Sequence, residues 1–127
     1  DLTVFASSWM VHRSLEAAQI LATEGISVEI VDPRTLVPLD EEMILRSVAK
    51  TGRLLVVDEC HLRCGIGSEI AATVAEHAHS DLVAPIRRVA TLDVPVPFSP
   101  PLEEYVEPTT AKIVDAARSL TGVQSGD

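Results

Sequence analysis

Basic residues are scarce. The chain has 10 Lys and Arg against 19 Asp and Glu, giving a formal charge of −9 and a pI near 4.8, and its longest basic run is Arg87-Arg88. Nucleic acid and anionic membranes recruit proteins through positive patches, so both are poor partners and a basic protein surface is a better one. Cysteine is nearly absent: Cys60 and Cys64 are the two thiols. So few argue against a disulfide-built secreted scaffold and for a reducing, cytoplasmic setting. No apolar run approaches the ~20 residues that span a bilayer, and Asp1-Leu2-Thr3 lacks the basic start of a secretory signal, so a soluble chain is expected. Internal repeats and low-complexity segments are missing too. What remains is ordinary for a globular protein: 127 residues, 46% hydrophobic and 23% charged, enough for one domain that folds alone.

The order of elements is readable. Leu2–Ala6 reads as a strand, and Ser7-Ser8 as the cap of a helix carrying Val11, Leu15, Ala18 and Ala22 on one face and ending at Gly25. Ile26–Val31 is a second strand stopped by Asp32-Pro33. Asp40 caps the next helix, with Glu41 and Glu42 in its first turn, Met43, Ile44 and Val48 as its buried stripe, and Thr51-Gly52 as its end. Leu54–Val57 is apolar without alternation, the pattern of a central parallel strand covered on both faces. A polar loop, 58–67, leads to a helix with Ile66, Ile70, Val74 and Ala78 on one face, followed by a strand over 86–90. Pro95, Pro97, Pro100 and Pro101 predict an extended surface run over 92–102. Pro108 suits the first turn of a last helix facing inward through Ile113, Ala117 and Leu120; the domain is expected to span 1–121, with 122–127 a disordered tail.

Strands alternating with helices predict a three-layer α/β/α domain with a mostly parallel sheet, strand one beside strand three and strand two outside strand one. The crevice beyond the strand ends then lies between Ser7–Met10 and the 58–67 loop, with Ser8, Trp9, Glu59, Arg63 and Gly67 as its candidate residues. No catalytic set emerges there. Gly65-Ile66-Gly67 lacks the third glycine of a phosphate loop and reads as a tight turn. Cys60, His61 and Cys64 lack a fourth zinc ligand at a recognisable spacing, and His61 is too close in sequence to serve Cys60 as a base. Asp58 and Glu59 point to opposite sides of a strand end, which leaves a hydrogen bond to Arg63 as their expected role. Ser8 reads as a cap, Trp9 as a core anchor, and Arg34 equally as a ligand of a partner's carboxylate or a solvated turn residue.

Several long segments, in order, resemble one family: Gly25-Ile26-Ser27-Val28-Glu29-Ile30-Val31-Asp32-Pro33-Arg34-Thr35-Leu36-Val37-Pro38-Leu39-Asp40, Thr51-Gly52-Arg53-Leu54-Leu55-Val56-Val57, Ala84-Pro85-Ile86-Arg87-Arg88-Val89 and Asp93-Val94-Pro95-Val96-Pro97. They are similar to the C-terminal domain of transketolase-like enzymes, in particular the β subunit of the E1 component of 2-oxo acid dehydrogenases, and the resemblance runs from Asp1 to about Leu120. Where many members have His-Glu after the central strand this chain has Asp58-Glu59, and Arg63-Cys64-Gly65 resembles the acetoin-dehydrogenase branch.

The resemblance implies a parent enzyme in a multienzyme complex that uses thiamine diphosphate and magnesium. It also implies that the cofactor site lies in a preceding domain and a partner subunit, so no catalytic, cofactor-binding or metal residue is carried over to this domain. The family's antiparallel strand beside strand two comes from residues before Asp1 and is expected to be absent, leaving an edge through which the chain can self-associate. The implied role is non-catalytic: assembly with an E1 α subunit and a second β chain, and docking of the basic subunit-binding domain of E2. Asp93, Glu103, Glu104 and Glu107 are the candidate docking residues. A different class of reading is a free-standing α/β module that binds an anionic ligand at the sheet's switch point.

Overall fold

A computed structural model describes residues 1–122. Four strands, β1 (Leu2–Ala6), β2 (Val28–Val31), β3 (Leu54–His61) and β4 (Arg87–Thr91), form one all-parallel sheet in the order β2-β1-β3-β4. The helices are α1 (Trp9–Thr23), α2 (Glu41–Thr51), α3 (Ile66–His77), α4 (Pro100–Val106) and α5 (Thr110–Thr121). The α/β/α expectation and the neighbours of strands one and three hold.

Alternation along β1 divides the core. Leu2, Val4 and Ala6 join Leu55 and Val57 of β3 under α1 and α5, in a cluster with Met10, Leu21, Ile113 and Ala117. Phe5 joins Leu54 and Val56 on the other side, under Ile44 and Val48 of α2 and Ile70 and Val74 of α3. Every residue of β1 is buried, and each large apolar side chain removed from water in this way contributes about 1.5–3 kcal/mol. Thr3, on the α2 side, is tolerated because its hydroxyl meets Ser47 Oγ at 2.8 Å and Thr51 Oγ1 at 2.7 Å.

The ends of α2 match their chemistry. Asp40 accepts a 2.9 Å hydrogen bond from the Met43 N–H, and Gly52 closes the helix at φ 72°. Elsewhere five expectations need correction. The buried face of α1 is Met10, Ser14, Ala17 and Leu21, with Leu15 and Ala22 exposed, because α1 lies close against α5 and small side chains permit that approach. The second strand starts at Val28, not Ile26. The third strand does not stop at Val57 but runs to His61, pairing with β4 through a bulge between Asp58 and His61, since the ladder uses backbone groups that polar residues also have. The proline-rich stretch does not stay extended: Pro100 and Pro101 occupy the first positions of α4, where their missing N–H groups have no intrahelical acceptor to lose. Pro108 precedes the last helix rather than opening it; Thr109 caps α5 by accepting from the Lys112 N–H at 3.3 Å. Gly122 ends α5 at φ 77°, and the tail expected beyond it lies outside the described residues.

Candidate functional site

The carboxyl ends of β1, β2 and β3 enclose a cavity of about 350 Å³ lined by Ser7, Ser8, Asp32, Pro33, Arg34, Thr35, Leu36, Asp58, Glu59, Cys60 and Ile66. This is the crevice that the strand order predicts. Of the five crevice candidates, Ser8 and Glu59 line it; Trp9, Arg63 and Gly67 do not. Trp9 is 57% exposed and tilts against the His12 ring at 5.0 Å, so it anchors no core. Arg63 binds neither Asp58 nor Glu59: its Nε lies 3.2 Å from Asp93 Oδ2 and its backbone N–H donates to Asp93 Oδ1 at 3.0 Å. Gly67 is buried against Val56, 3.1 Å from where its Cβ would stand. Ser8 occupies the cap position at φ 53° with no capping side-chain hydrogen bond; the backbone carbonyls of Ser7 and Ser8 accept the first N–H groups of the helix instead. The Asp32–Leu36 wall is not among the crevice residues expected from the sequence. Asp-Pro after a strand that ends beside β1 is the signal that could have found it.

Asp58 is 3% exposed. Its Oδ1 accepts from the Cys60 N–H at 3.3 Å and the Ser7 hydroxyl at 3.5 Å, and its Oδ2 has no partner. Loss of solvent around the Cys60 thiol pushes its pKa up, and the Asp58 charge beside it adds to the rise, so this is not an activated nucleophile. His61 turns away, its Nε2 at 3.0 Å from the Val94 carbonyl oxygen. Arg34 is bound to Asp32 Oδ2 at 2.9 Å. With Asp32, Asp58 and Glu59 facing that one committed cation, the lining fits neither the expected anionic ligand nor the diphosphate of thiamine diphosphate. Among the described residues no group of three or more His, Cys, Asp or Glu is placed to hold a metal ion.

A second concavity lies over α4. Three of the four candidate docking acids, Glu103, Glu104 and Glu107, line a groove of about 690 Å³ with Arg13, Pro100, Thr109, Thr110 and Ala111. Asp93 is not among them and is committed to Arg63. Arg13 bridges to Glu107 Oε2 at 3.2 Å and donates to the Pro108 carbonyl, while Glu103 and Glu104 make no ion pair among the described residues. Lys112 fixes this helix by donating to the carbonyls of Glu104, Tyr105 and Glu107 at 3.3, 2.6 and 2.6 Å. In the segment leading into α4 and along it, Phe98 is fully exposed, and Val94, Val96, Leu102 and Tyr105 are exposed as well. Among the described residues no helix is long and apolar enough to cross a membrane.

The described residues thus form an α/β/α domain with an acidic groove over α4 and exposed apolar side chains in and before that helix. Residues 1–113 match the family described as transketolase, C-terminal domain, and the chain belongs to it. It is 52% identical over 118 residues to the β subunit of acetoin:2,6-dichlorophenolindophenol oxidoreductase of Cupriavidus necator, covering 93% of this chain and 35% of that protein. It is 44% identical to the mitochondrial pyruvate dehydrogenase E1 component subunit beta of Dictyostelium discoideum, over 95% of this chain and 34% of that one. It is 42% identical to the 2-oxoisovalerate dehydrogenase subunit beta of Bacillus subtilis, over 94% and 37% respectively. Among solved structures, a split-gene transketolase described as an inactive beta4 tetramer superposes with a TM-score of 0.82 at 30% identity, over 98% of this chain and 39% of that one. The chain thus spans about a third of the length of these curated relatives.

Proposed function

We propose that this chain is the non-catalytic assembly and partner-docking domain of the β chain of a thiamine-diphosphate-dependent acetoin or 2-oxo acid dehydrogenase E1, an oxidoreductase. The observation that carries the reading is the pairing of two surfaces around α4, the apolar set including Val96, Phe98 and Tyr105 and the acidic groove of Glu103 and Glu104. An apolar surface of that kind suits burial against an E1 α subunit and a second β chain. The groove suits the basic subunit-binding domain of E2, whose approach it would speed electrostatically. Thiamine diphosphate and magnesium belong to other parts of the parent enzyme, and a cytoplasmic setting accords with the free thiols of Cys60 and Cys64. The charge of the strand-end crevice weighs against the free-standing anion-binding module.

The test uses the complete β chain with its α partner. Phe98→Asp should block assembly of the α and β chains in size-exclusion chromatography with light scattering. Glu103→Lys with Glu104→Lys should leave assembly intact and weaken binding of the E2 subunit-binding domain by about tenfold at low salt, less at high salt. Equal affinity of both proteins at both salts removes the groove as the docking site. Magnesium-dependent binding of thiamine diphosphate by the 127-residue chain alone would overturn the non-catalytic reading.

A further inference from the structure

The end of β3 and the turn into α3 carry both thiols of the chain, Cys60 and Cys64, and both residues are exposed. This stretch folds back on itself. A Cβ at Gly65 would stand 3.1 Å from Cys60 Cβ, and the Ile66 N–H meets the Cys60 sulfur, so the chain that leaves Cys60 is back against it one residue after Cys64. A disulfide needs its two Cβ atoms about 3.5–4.5 Å apart, which a local adjustment of such a turn supplies. Cys64 is the residue to make it: its φ of 59° lies in the left-handed region that side chains other than glycine avoid, so moving it gives up a strained conformer. The same turn is clamped to the segment that leads into α4. His61 Nε2 lies 3.0 Å from the Val94 carbonyl oxygen, the Arg63 N–H donates to Asp93 Oδ1 at 3.0 Å, and Arg63 Nε lies 3.2 Å from Asp93 Oδ2. Arg63 thus stands between the two thiols in sequence and holds Asp93 from two points.

We propose that Cys60 and Cys64 are a redox switch: a peroxide closes them into a reversible disulfide within one chain, and closure releases Arg63 from Asp93. The Cys64 thiolate attacks a peroxide oxygen; the O–O bond breaks, Cys64 becomes a sulfenic acid, and with hydrogen peroxide the other oxygen takes up a proton and leaves as water. Loss of solvent and the neighbouring Asp58 charge keep Cys60 protonated, which suits it to the second step. Its sulfur attacks that of Cys64, the S–S bond forms as the S–O bond breaks, and the thiol proton departs with the hydroxyl as a second water. Each sulfur loses one electron and the peroxide gains two; a small dithiol reverses the change by exchange. Closing a ring over residues 60–64 turns the peptide between Arg63 and Cys64, which carries Arg63 away from a carboxylate that it meets through both backbone and side chain. Transient, sensing disulfides are the kind that a reducing compartment permits. The inference does not rest on the docking role of α4.

The 127-residue chain, whose described residues bury a core on both faces of the sheet, is reduced, freed of reductant and treated with a few equivalents of hydrogen peroxide, and the remaining thiols are capped with iodoacetamide. Trypsin cuts after Arg53, Arg63 and Arg87 and so separates the two cysteines. The monomer fraction should yield peptides 54–63 and 64–87 joined, lighter by two hydrogens than the free pair together and parted by dithiothreitol. In the isotope-labelled chain the amide resonances of Asp93 and Val94, remote in sequence from both thiols, should move on oxidation and return on reduction, and a folded Cys64→Ser chain should show neither result. Dimedone should mark Cys64 in a Cys60→Ser chain exposed to peroxide. Peptides capped at both cysteines, Cys64 carried to the sulfinic acid with Cys60 still free, or disulfides between chains alone overturn the switch. Joined peptides with Asp93 and Val94 unmoved overturn the release of Arg63. Dimedone on Cys60 and not on Cys64 in the natural chain overturns the assignment of Cys64 as the sulfur oxidised first.

Discussion

Arg118 grips Glu24 with both prongs of its guanidinium, Nη2 at 2.6 Å from Oε1 and Nε at 3.0 Å from Oε2. The pair joins the last turn of α5 to the residue that ends α1, two helices that share one face of the sheet. The hydrogen bond from Arg118, helped by its charge, holds the Glu24 carboxyl below its ordinary value against the opposing effect of lost solvent.

A carboxyl whose folded pKa is depressed stabilises the fold above its unfolded value and stops doing so as pH falls through the folded one. Glu24→Gln should therefore melt below the natural chain at neutral pH, by a gap that closes as pH falls through the depressed pKa of the folded carboxyl and narrows in salt. Thermal melts followed by circular dichroism measure it. A gap constant across that range would mean that shape, not charge, sets the contribution.

Gly65 and Gly67 stand two residues apart at the start of α3 but face different neighbours. A Cβ at Gly65 would lie 2.5 Å from the His61 carbonyl oxygen, which is backbone, whereas one at Gly67 would lie 3.1 Å from a methyl of Val56. Gly65→Ala should cost about 2–3 kcal/mol and Gly67→Ala about 1 kcal/mol, read as shifts of the urea midpoint. The reverse order would contradict the close approach of the β3 end to the helix.

Among the described residues β2 pairs with β1 alone, and the bond from the Leu2 N–H to the Ser27 carbonyl sets a phase that turns the N–H and C=O groups of Val28 and Ile30 outward. Such an edge is a template for another strand. The 127-residue chain should self-associate at high concentration with protection of those two amides, and Val28→Pro, which deletes an outward donor, should suppress it. Light scattering with hydrogen exchange gives the readout; a chain that stays monomeric with both amides in fast exchange rules the idea out.

Local pattern was enough for much of this architecture. The uninterrupted apolar run 54–57 marks a strand covered on both faces, and Asp40 with Gly52 brackets α2, because these signals arise within one element. Local pattern misleads where a partner element decides. Ser14 and Ala17 are buried while Leu15 and Ile20 are exposed, since the approach of α5 selects the face of α1. Trp9 and Phe98 lie on the surface despite their hydrophobicity, which the sequence pattern alone does not reveal. The crevice was placed by strand order, but Asp32–Leu36 reaches it only through the parallel pairing of β2 with β1, and the unmatched oxygen of Asp58 is a property of three dimensions. In the groove over α4, Glu103, Glu104 and Glu107 share a wall because a short helix brings them together; Asp93 answers to Arg63 instead.

The sheet that separates the two apolar clusters also separates the effects of changing them. No residue of the Leu2, Leu55 and Ile113 side belongs to the Phe5, Ile44 and Ile70 side. Where neighbours are not shared, changes in packing combine nearly additively. The face beneath α2 and α3 can thus drift in sequence without compensation beneath α1 and α5, so a lineage can remodel one layer while the other keeps its packing.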